Sequence, residues 1–230
     1  MNEVFEDNIY FVSGIDTGIG KSYATGYIAN ILKQQGHSVI TQKFIQTGNV
    51  DYSEDIDIHR KIMNMEKTKE DLEFLTMPEI FSCPCSPHLA SKIDKREIDL
   101  NKISSATEKL SLRYNKVLIE GAGGLMVPIS DNYLTIDYIS EKMYPLLFVT
   151  TGRLGSINHT LLSFEAIKNY KIQLECVIYN TYAHQKQYTE KENTAISDII
   201  SEDTLEFIKR YLKNNFPKAK LIILPKIFFD

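Results

Sequence analysis

Ile9-Tyr-Phe-Val-Ser-Gly-Ile-Asp-Thr-Gly-Ile-Gly-Lys-Ser22 is the stretch on which the reading of the fold turns. Its first four residues, Ile9–Val12, are β-branched or aromatic and predict a buried strand, and a glycine-punctuated loop follows. Gly20-Lys21-Ser22 then opens a helix-periodic run with apolar residues at Ala24, Tyr27, Ile28, Ile31 and Leu32. Strand, glycine-rich loop and helix N-terminus in that order make an anion cradle. The first N–H groups of the helix have no partner within it, and the helix dipole adds partial positive charge. In such a cradle Lys21 reaches the β- and γ-phosphates of a nucleotide, and the Ser22 hydroxyl ligates a phosphate-bound Mg²⁺. The strict P-loop spacing G-x-x-x-x-G-K-[ST] is missed: Ile15 stands where its first glycine belongs, and Gly14 leaves five residues before Gly20. An ordinary helix start with a chance Gly-Lys-Ser is the competing reading. The strand before it and the periodic helix after it favour the cradle.

Outward from this stretch, strands and helices alternate. The first helix is expected to stop near Gly36, a C-cap residue, and Ser38–Phe44 reads as a strand that runs into Lys43-Phe-Ile-Gln-Thr-Gly48. Most of the acidic run Asp51–Asp57 reads as solvated loop, with a short helix after it marked by Ile56, Ile58 and Ile62. Met77–Pro87, rich in proline, reads as an irregular loop that delivers Ser86-Pro87-His88 to the start of another helix. Ile98–Tyr114 is helical by pattern, and Lys116–Glu120 is a buried strand ending in Glu120-Gly-Ala-Gly-Gly124. Leu125–Ile129 is apolar, Thr135–Met143 a short helix, and Pro145–Thr150 a strand leading into Gly152-Arg-Leu-Gly-Ser-Ile-Asn-His159. A helix carrying Ile157, Leu161, Leu162, Phe164 and Ile167 precedes a strand over Leu174–Tyr179, ending at Asn180. Tyr182–Glu192 is polar and expected to be mobile; Leu205, Ile208, Leu212 and Phe216 mark a last amphipathic helix and Leu221–Leu224 a last strand.

The expected architecture is one α/β domain over residues 1–230, a mainly parallel sheet of about six or seven strands with helices on both faces. Ligands of such sheets sit beyond the carboxyl ends of the strands. Gly14–Lys21, Lys43–Gly48, Glu120–Gly124, Thr150–Asn158 and Asn180 all fall there, which makes a nucleotide site with room for a second substrate.

Composition narrows the classes. At 230 residues, with 43% hydrophobic and 24% charged, the chain has the length and balance of a globular protein with a sizeable core. A net charge of −4 speaks against a general nucleic-acid binder. Three cysteines, an odd number, make no full disulfide framework and suit a reducing compartment. Cys83-Pro-Cys85 lacks a matching Cys or His pair and reads as ordinary thiols. Met1–Asn8 is acidic and polar, unlike a signal peptide, and no apolar run approaches the roughly 18 residues of a membrane span. The expectation is a cytoplasmic protein with no membrane or nucleic-acid partner.

Taken together, the segments resemble the dethiobiotin synthetase family. Its hallmarks are a lengthened P-loop G-x-D-T-x-x-G-K-[ST], then K-P-x-x-[ST]-G, S-P-H, E-G-A-G-G and a late G-x-I-N-H. They stand here, in family order, as Gly14–Ser22, Lys43–Gly48, Ser86-Pro-His88, Glu120–Gly124 and Gly155-Ser-Ile-Asn-His159. The resemblance implies ATP- and Mg²⁺-dependent closure of a cyclic urea on 7,8-diaminopelargonate, with carbon dioxide or bicarbonate as carbon source. It implies that Asp16, Thr17, Gly18, Ile19, Gly20, Lys21 and Ser22 hold the nucleotide with Glu120, Gly121 and Gly123, and that Asn180 reads adenine. Lys21 and Lys43 are the implied catalytic lysines, Lys43 stabilising a carbamate and the transferring phosphoryl group with Thr47 nearby. Ser22, Asp55 and Glu120 are implied around the metal, with Asp51, Glu54 and Asp57 as alternatives to Asp55. Gly155, Ser156 and Asn158, at a helix start, are expected to take the substrate's tail carboxylate in a homodimer whose sites the partner chain completes. Neither His88 nor His159 is expected to react.

Three departures from the family pattern matter. Phe44 replaces a proline, which is expected to leave that loop's backbone less fixed. Gly18 stands where the family often has glutamate, and the chain ends at Asp230, soon after Leu224-Pro225-Lys226, which puts selectivity for ATP over other triphosphates in question. The rival reading is a P-loop switch ATPase of the partitioning and septum-site kind, a regulatory binding module. Those proteins carry a signature lysine five residues before the P-loop lysine, where this chain has Asp16.

Overall fold

The computed structural model describes residues 5–181 and 191–225. Its centre is β1 (Ile9–Gly14), followed by α1 (Lys21–Gln34), β2 (Val39–Lys43), β3 (Gln46–Thr47), α2 (Glu54–Ile62), α3 (Lys69–Leu72) and β4 (Ile80–Phe81). There follow α4 (Pro87–Asp94), α5 (Leu100–Ser111), β5 (Lys116–Glu120), β6 (Pro128–Ser130), β7 (Tyr133–Leu134) and α6 (Thr135–Glu141). The chain closes with β8 (Leu146–Thr151), α7 (Ser156–Asn169), β9 (Leu174–Asn180), α8 (Lys191–Asn215) and β10 (Lys220–Leu224). Six strands form one sheet in the order β10-β9-β8-β1-β5-β2, every pairing parallel. This is the expected sheet, and its parallel pairing collects all six carboxyl ends on one edge.

Both faces of β1 are buried, which is why it reads as an unbroken apolar run rather than an alternation. Tyr10 and Val12 face a core shared with Ala24, Ile28 and Leu32 of α1 and Leu118 and Val149 of the neighbouring strands. Phe11 faces the other core with Ile119, Phe148, Ile103, Ile139, Phe164 and Ile208, contributed by β5, β8, α5, α6, α7 and α8. Gly36 ends α1 as expected: its backbone is left-handed (φ 91°), and His37 N–H donates to Leu32 O at 3.1 Å.

Three features differ from the sequence reading. The irregular loop expected over Met77–Pro87 holds β4, which pairs in parallel with β3 as a two-stranded ribbon and carries the Lys43–Gly48 segment against residues 76–81. The turn α3 precedes it, capped reciprocally by Thr68 and Asp71. The last helix begins at Lys191 and not near Leu205. Its earlier turns press Ser197, Ser201 and Thr204 inward, small hydroxyl residues that leave no apolar periodicity to read, and Tyr179 Oη donates to Ser201 O at 2.7 Å. Of the segment expected to be mobile, 182–190 lies outside the described residues, as do 226–230 at the C-terminus.

A buried ion pair fixes the layer under β2. Arg60 of α2 donates from Nε and Nη2 to the two Asp71 oxygens, each at 2.8 Å, and Thr76 Oγ1 donates to Asp71 Oδ1 at 2.6 Å. Burial pushes the Asp71 carboxyl up, but the bonds and charge of Arg60 outweigh it and hold it below its ordinary range. Asp71→Asn leaves a buried guanidinium unpaired and should cost about 3–5 kcal/mol in urea unfolding at pH 7. Because the folded-state pKa of Asp71 is depressed, this stabilisation is present above its unfolded value and is lost as pH falls through the folded one. The gap between wild type and variant should therefore shrink below about pH 4, and a gap constant with pH would show that the ion pair is not its source.

Candidate phosphoryl-transfer site

The cradle is built as the sequence pattern requires. Gly20 occupies the N-cap of α1 with φ 91°, and no side chain caps the helix by a hydrogen bond. A Cβ at Gly20 would run into the Asn180 amide, whose Nδ2 donates to Ile19 O at 2.8 Å. Asn180, expected only to read adenine, thus also braces the loop from the end of β9. Lys21 Nζ folds back to donate to Asp16 O at 2.6 Å. Its pKa is pushed down to about 8, first by burial and then by the charge of Lys43, against the pull of Glu120, Asp55 and Asp16. The Asp16 carboxylate accepts from Thr17 N–H at 2.8 Å and from Arg153 Nη2 at 2.6 Å, joining the loop to the β8–α7 turn.

Lys43 and Glu120 are register partners at the carboxyl ends of β2 and β5. The Lys43 ammonium lies 2.9 Å from Glu120 Oε1 and 2.6 Å from Asp55 Oδ2, and donates to Gly121 O at 3.3 Å. Ser22 Oγ, from the first turn of α1, lies 2.5 Å from Asp55 Oδ1 and 3.0 Å from Glu120 Oε1. Asp55 is placed by the first turn of α2, where Ser53 Oγ caps Ile56 N–H. Burial works against charge on both Lys43 and Glu120. For Glu120 the Lys43 charge and the His59 hydrogen bond outweigh it and hold the carboxyl far below its ordinary range. For Lys43 the two carboxylates hold the ammonium above its own.

A cavity of about 770 Å³ opens over this cluster, lined among others by Thr17, Gly18, Thr47, Glu54, Cys85 and Gly123. The donor set suits Mg²⁺: two carboxylates and a hydroxyl are hard oxygen ligands, and they already surround a cationic group. Among the described residues no group of three or more His, Cys, Asp or Glu could hold a metal. An ion here would therefore take its other ligands from phosphate and water, as Mg²⁺ commonly does. Of the acidic alternatives, Asp57 turns outward to pair with Lys67 at 3.1 Å, its side chain 42% exposed against 18% for Asp55.

Lys21, Ser22, Lys43, Thr47, Asp55 and Glu120 are thus brought together. Gly155, Ser156 and Asn158 are not: Gly155 lines a separate cavity of about 330 Å³ with Arg153, Leu154 and Ile157, and Asn158 is exposed. Phe44 corrects an expectation. Its N–H, which proline lacks, donates to Glu120 O at 2.8 Å, and its ring packs on Phe11 and Tyr138, so the loop is pinned rather than loosened. The reading of Asp51–Asp57 as mostly loop gives way to α2 from Glu54. The residue missed outright is His59, fully buried with Nε2 at 2.6 Å from Glu120 Oε2. A signal existed: Ile56, His59, Arg60 and Met63 share the inner face of α2 by helical spacing.

The fold and site define a P-loop nucleotide-binding domain, and the chain matches the family model described as an AAA domain over residues 8–213. Solved structures agree on the fold alone. They include the MinC:MinD cell division protein complex of Aquifex aeolicus, at 16% identity and TM-score 0.52, covering 96% of this chain and 82% of that one. A plasmid partition protein of Borrelia burgdorferi B31 bound to AMPPNP has 12% identity and TM-score 0.54, covering 98% and 92%. Sequence relatives are more specific. The ATP-dependent dethiobiotin synthetase BioD 2 of Pasteurella multocida (strain Pm70) is 44% identical over 95% of this chain and 98% of its own. That of Haemophilus ducreyi (strain 35000HP) is 45% identical over the same shares, and the BioD of Chlorobaculum tepidum 44% identical over 78% and 75%. The chain belongs to the ATP-dependent dethiobiotin synthetase family.

The geometry separates two neighbouring carboxylates. Asp55→Asn should weaken Mn²⁺ binding to the AMPPNP complex by at least about tenfold, while Asp57→Asn should stay within about twofold. Titration calorimetry decides this, and equal effects would remove Asp55 from the metal set.

Proposed function

We propose that this protein is an ATP-dependent cyclo-ligase that makes dethiobiotin from 7,8-diaminopelargonate and carbon dioxide, releasing ADP and phosphate. One substrate amine takes up carbon dioxide as a carbamate, and a carbamate oxygen attacks the γ-phosphorus of ATP. The second amine then attacks the carbamoyl carbon, the C–O bond to phosphate breaks, and the ring closes. The observation that carries the reading is a second buried lysine, Lys43, beside the P-loop Lys21 in one cavity. A switch of the partitioning kind would carry its second lysine at position 16, where this chain has Asp16; a reaction that gathers carbamate and phosphoryl charge needs both Lys21 and Lys43.

Lys43 is held charged by Glu120 and Asp55, so it serves as an electrostatic clamp and not as a base. Lys21, with the first N–H groups of α1, holds phosphate oxygens. Ser22, Asp55 and Glu120 would hold Mg²⁺, which when bound neutralises phosphate charge. Asp16, Thr17, Gly18, Ile19, Gly20, Gly121 and Gly123 line the nucleotide path in this reading, with Asn180 at the base and Thr47 near the carbamate.

The substrate's tail carboxylate belongs, in this reading, to Gly155, Ser156 and Asn158 of a partner chain in a homodimer. Two observations support it. Ser156 Oγ is buried without a hydrogen-bond partner, and α7 starts on a left-handed Gly155 (φ 88°) with no side-chain cap. Around it Leu154, Leu162, Ile196 and Ile199 are exposed apolar residues on the α7–α8 side. Among the described residues no helix is long and apolar enough to cross a membrane, which fits a cytoplasmic enzyme.

Phosphate release should require both diaminopelargonate and bicarbonate; release independent of the diamine would refute the assignment. Lys21→Ala should weaken ATP binding as well as turnover, whereas Lys43→Ala should mostly lower kcat, since its charge is met as transfer proceeds. Equal losses of ATP affinity would remove that division. Ile199→Asp should give a monomer with little activity, and a folded, fully active monomer would end the shared-site reading.

A further inference from the structure

We infer that His59 is a positioning residue for this reaction: it holds Glu120 through an Nε2–H hydrogen bond and so turns Oε1 toward the cation. The inference rests on Ser22, Asp55 and Glu120 forming the metal site. The backbone of Glu120 is fixed between β1 and β2, but its carboxylate could still rotate. Its two oxygens have different jobs. Oε1 faces Lys43 and Ser22, while Oε2 faces His59 Nε2 at 2.6 Å, with Glu120 1% and His59 0% exposed.

The proton's place on the imidazole follows from the groups on either side of it. Arg60 Nη1 donates to Thr41 Oγ1 at 2.8 Å, and Arg60 cannot turn away because Nε and Nη2 are both bonded to Asp71. Thr41 Oγ1 also lies 3.0 Å from His59 Nδ1 and so holds the back of the ring. At the front the Glu120 carboxylate, ionised, can only accept, so a ring proton sits on Nε2 and is donated to Oε2 at 2.6 Å. The buried Arg60–Asp71 pair thus braces, through Thr41, the ring that holds a carboxylate in the cavity. Partners of this kind, hydrogen-bonded to a metal's carboxylate, commonly govern its affinity.

The test compares His59→Leu, His59→Gln and Thr41→Val. Each is titrated with Mn²⁺ in saturating AMPPNP by calorimetry, and the Mg²⁺ dependence of kcat is measured beside it. His59→Leu should weaken Mn²⁺ binding roughly 10–100-fold, with KM for the diamine within about twofold. His59→Gln, whose amide N–H can stand near the place of Nε2, should recover most of the loss, and Thr41→Val should fall between. A folded His59→Leu protein with the wild-type Mn²⁺ titration overturns the inference. So does an equal loss in the Leu and Gln variants, which would mean packing and not the donor. Should His59→Leu fail to fold, Thr41→Val decides, and its wild-type titration would equally overturn it. The binding readout needs no turnover, so a wild type lacking diamine-dependent phosphate release would refute the proposed reaction and still leave His59 to be judged.

Discussion

The pairing of β2 with β5 is the constraint from which the site follows. Val39 and Ile40 set against Lys116 and Val117 place Lys43 opposite Glu120 three rungs further along the ladder. A slip of one residue would turn every side chain of β2 to the other face, burying Lys43 in a core and removing it from the carboxylates. Phe44 N–H on Glu120 O then closes the ladder just where it ends, so the last turn of sequence before the cavity has no freedom to drift. A residue that departs from the family pattern thereby supplies rigidity by a hydrogen bond instead of by a fixed φ.

Gathering Lys43, Glu120 and His59 out of water is costly unless each polar atom is met. Here each one is. Lys43 has two carboxylates and a carbonyl, Glu120 has Lys43, Ser22 and His59, and His59 has Thr41 behind it. The consequence is a set of dipoles and charges fixed before any substrate arrives, which is the condition for electrostatic stabilisation without reorganisation. The elements contribute unequally. The sheet supplies Lys43 and Glu120 with little play, while α1 and α2 bring Ser22, Asp55 and His59 to them.

The sheet was legible in the sequence because most of its strands are short apolar runs that end at a turn, as at Ile9–Gly14 and Lys116–Gly121. The cradle and Lys43 were legible for the same reason, since their motifs sit at strand ends. The degree to which each polar side chain is buried was not legible. Nothing in the order of residues says that Glu120 is 1% exposed, or that Asp57 faces solvent while Asp55 does not. His59 was hidden because a histidine among charges resembles surface, and its partners Thr41 and Glu120 are 18 and 61 residues away. The first turns of α8 were hidden by the reverse case, hydroxyl residues packed inward where apolar ones are expected.

How the helices begin separates structure from ligand chemistry. The starts of α2, α3 and α5 are closed by their own neighbours: Ser53 accepts from Ile56 N–H, Thr68 from Asp71 N–H, and Asp99 from two N–H groups. By contrast α1 and α7 begin on left-handed glycines, Gly20 and Gly155, with no side chain over the first turn. Over glycine, a serine or aspartate cap would gain only about a few tenths of a kcal/mol, and the left-handed backbone at both places (φ 91° and 88°) would strain it. At Gly20 a second reason is visible, because the Asn180 amide leaves no space for a side chain and the helix start lines the cavity. At Gly155 no atom crowds the missing Cβ, and the left-handed backbone itself (φ 88°) favours glycine. In the proposed reading both starts take anions, a phosphate at one and a carboxylate at the other, on turns that Arg153 and Asp16 tie together.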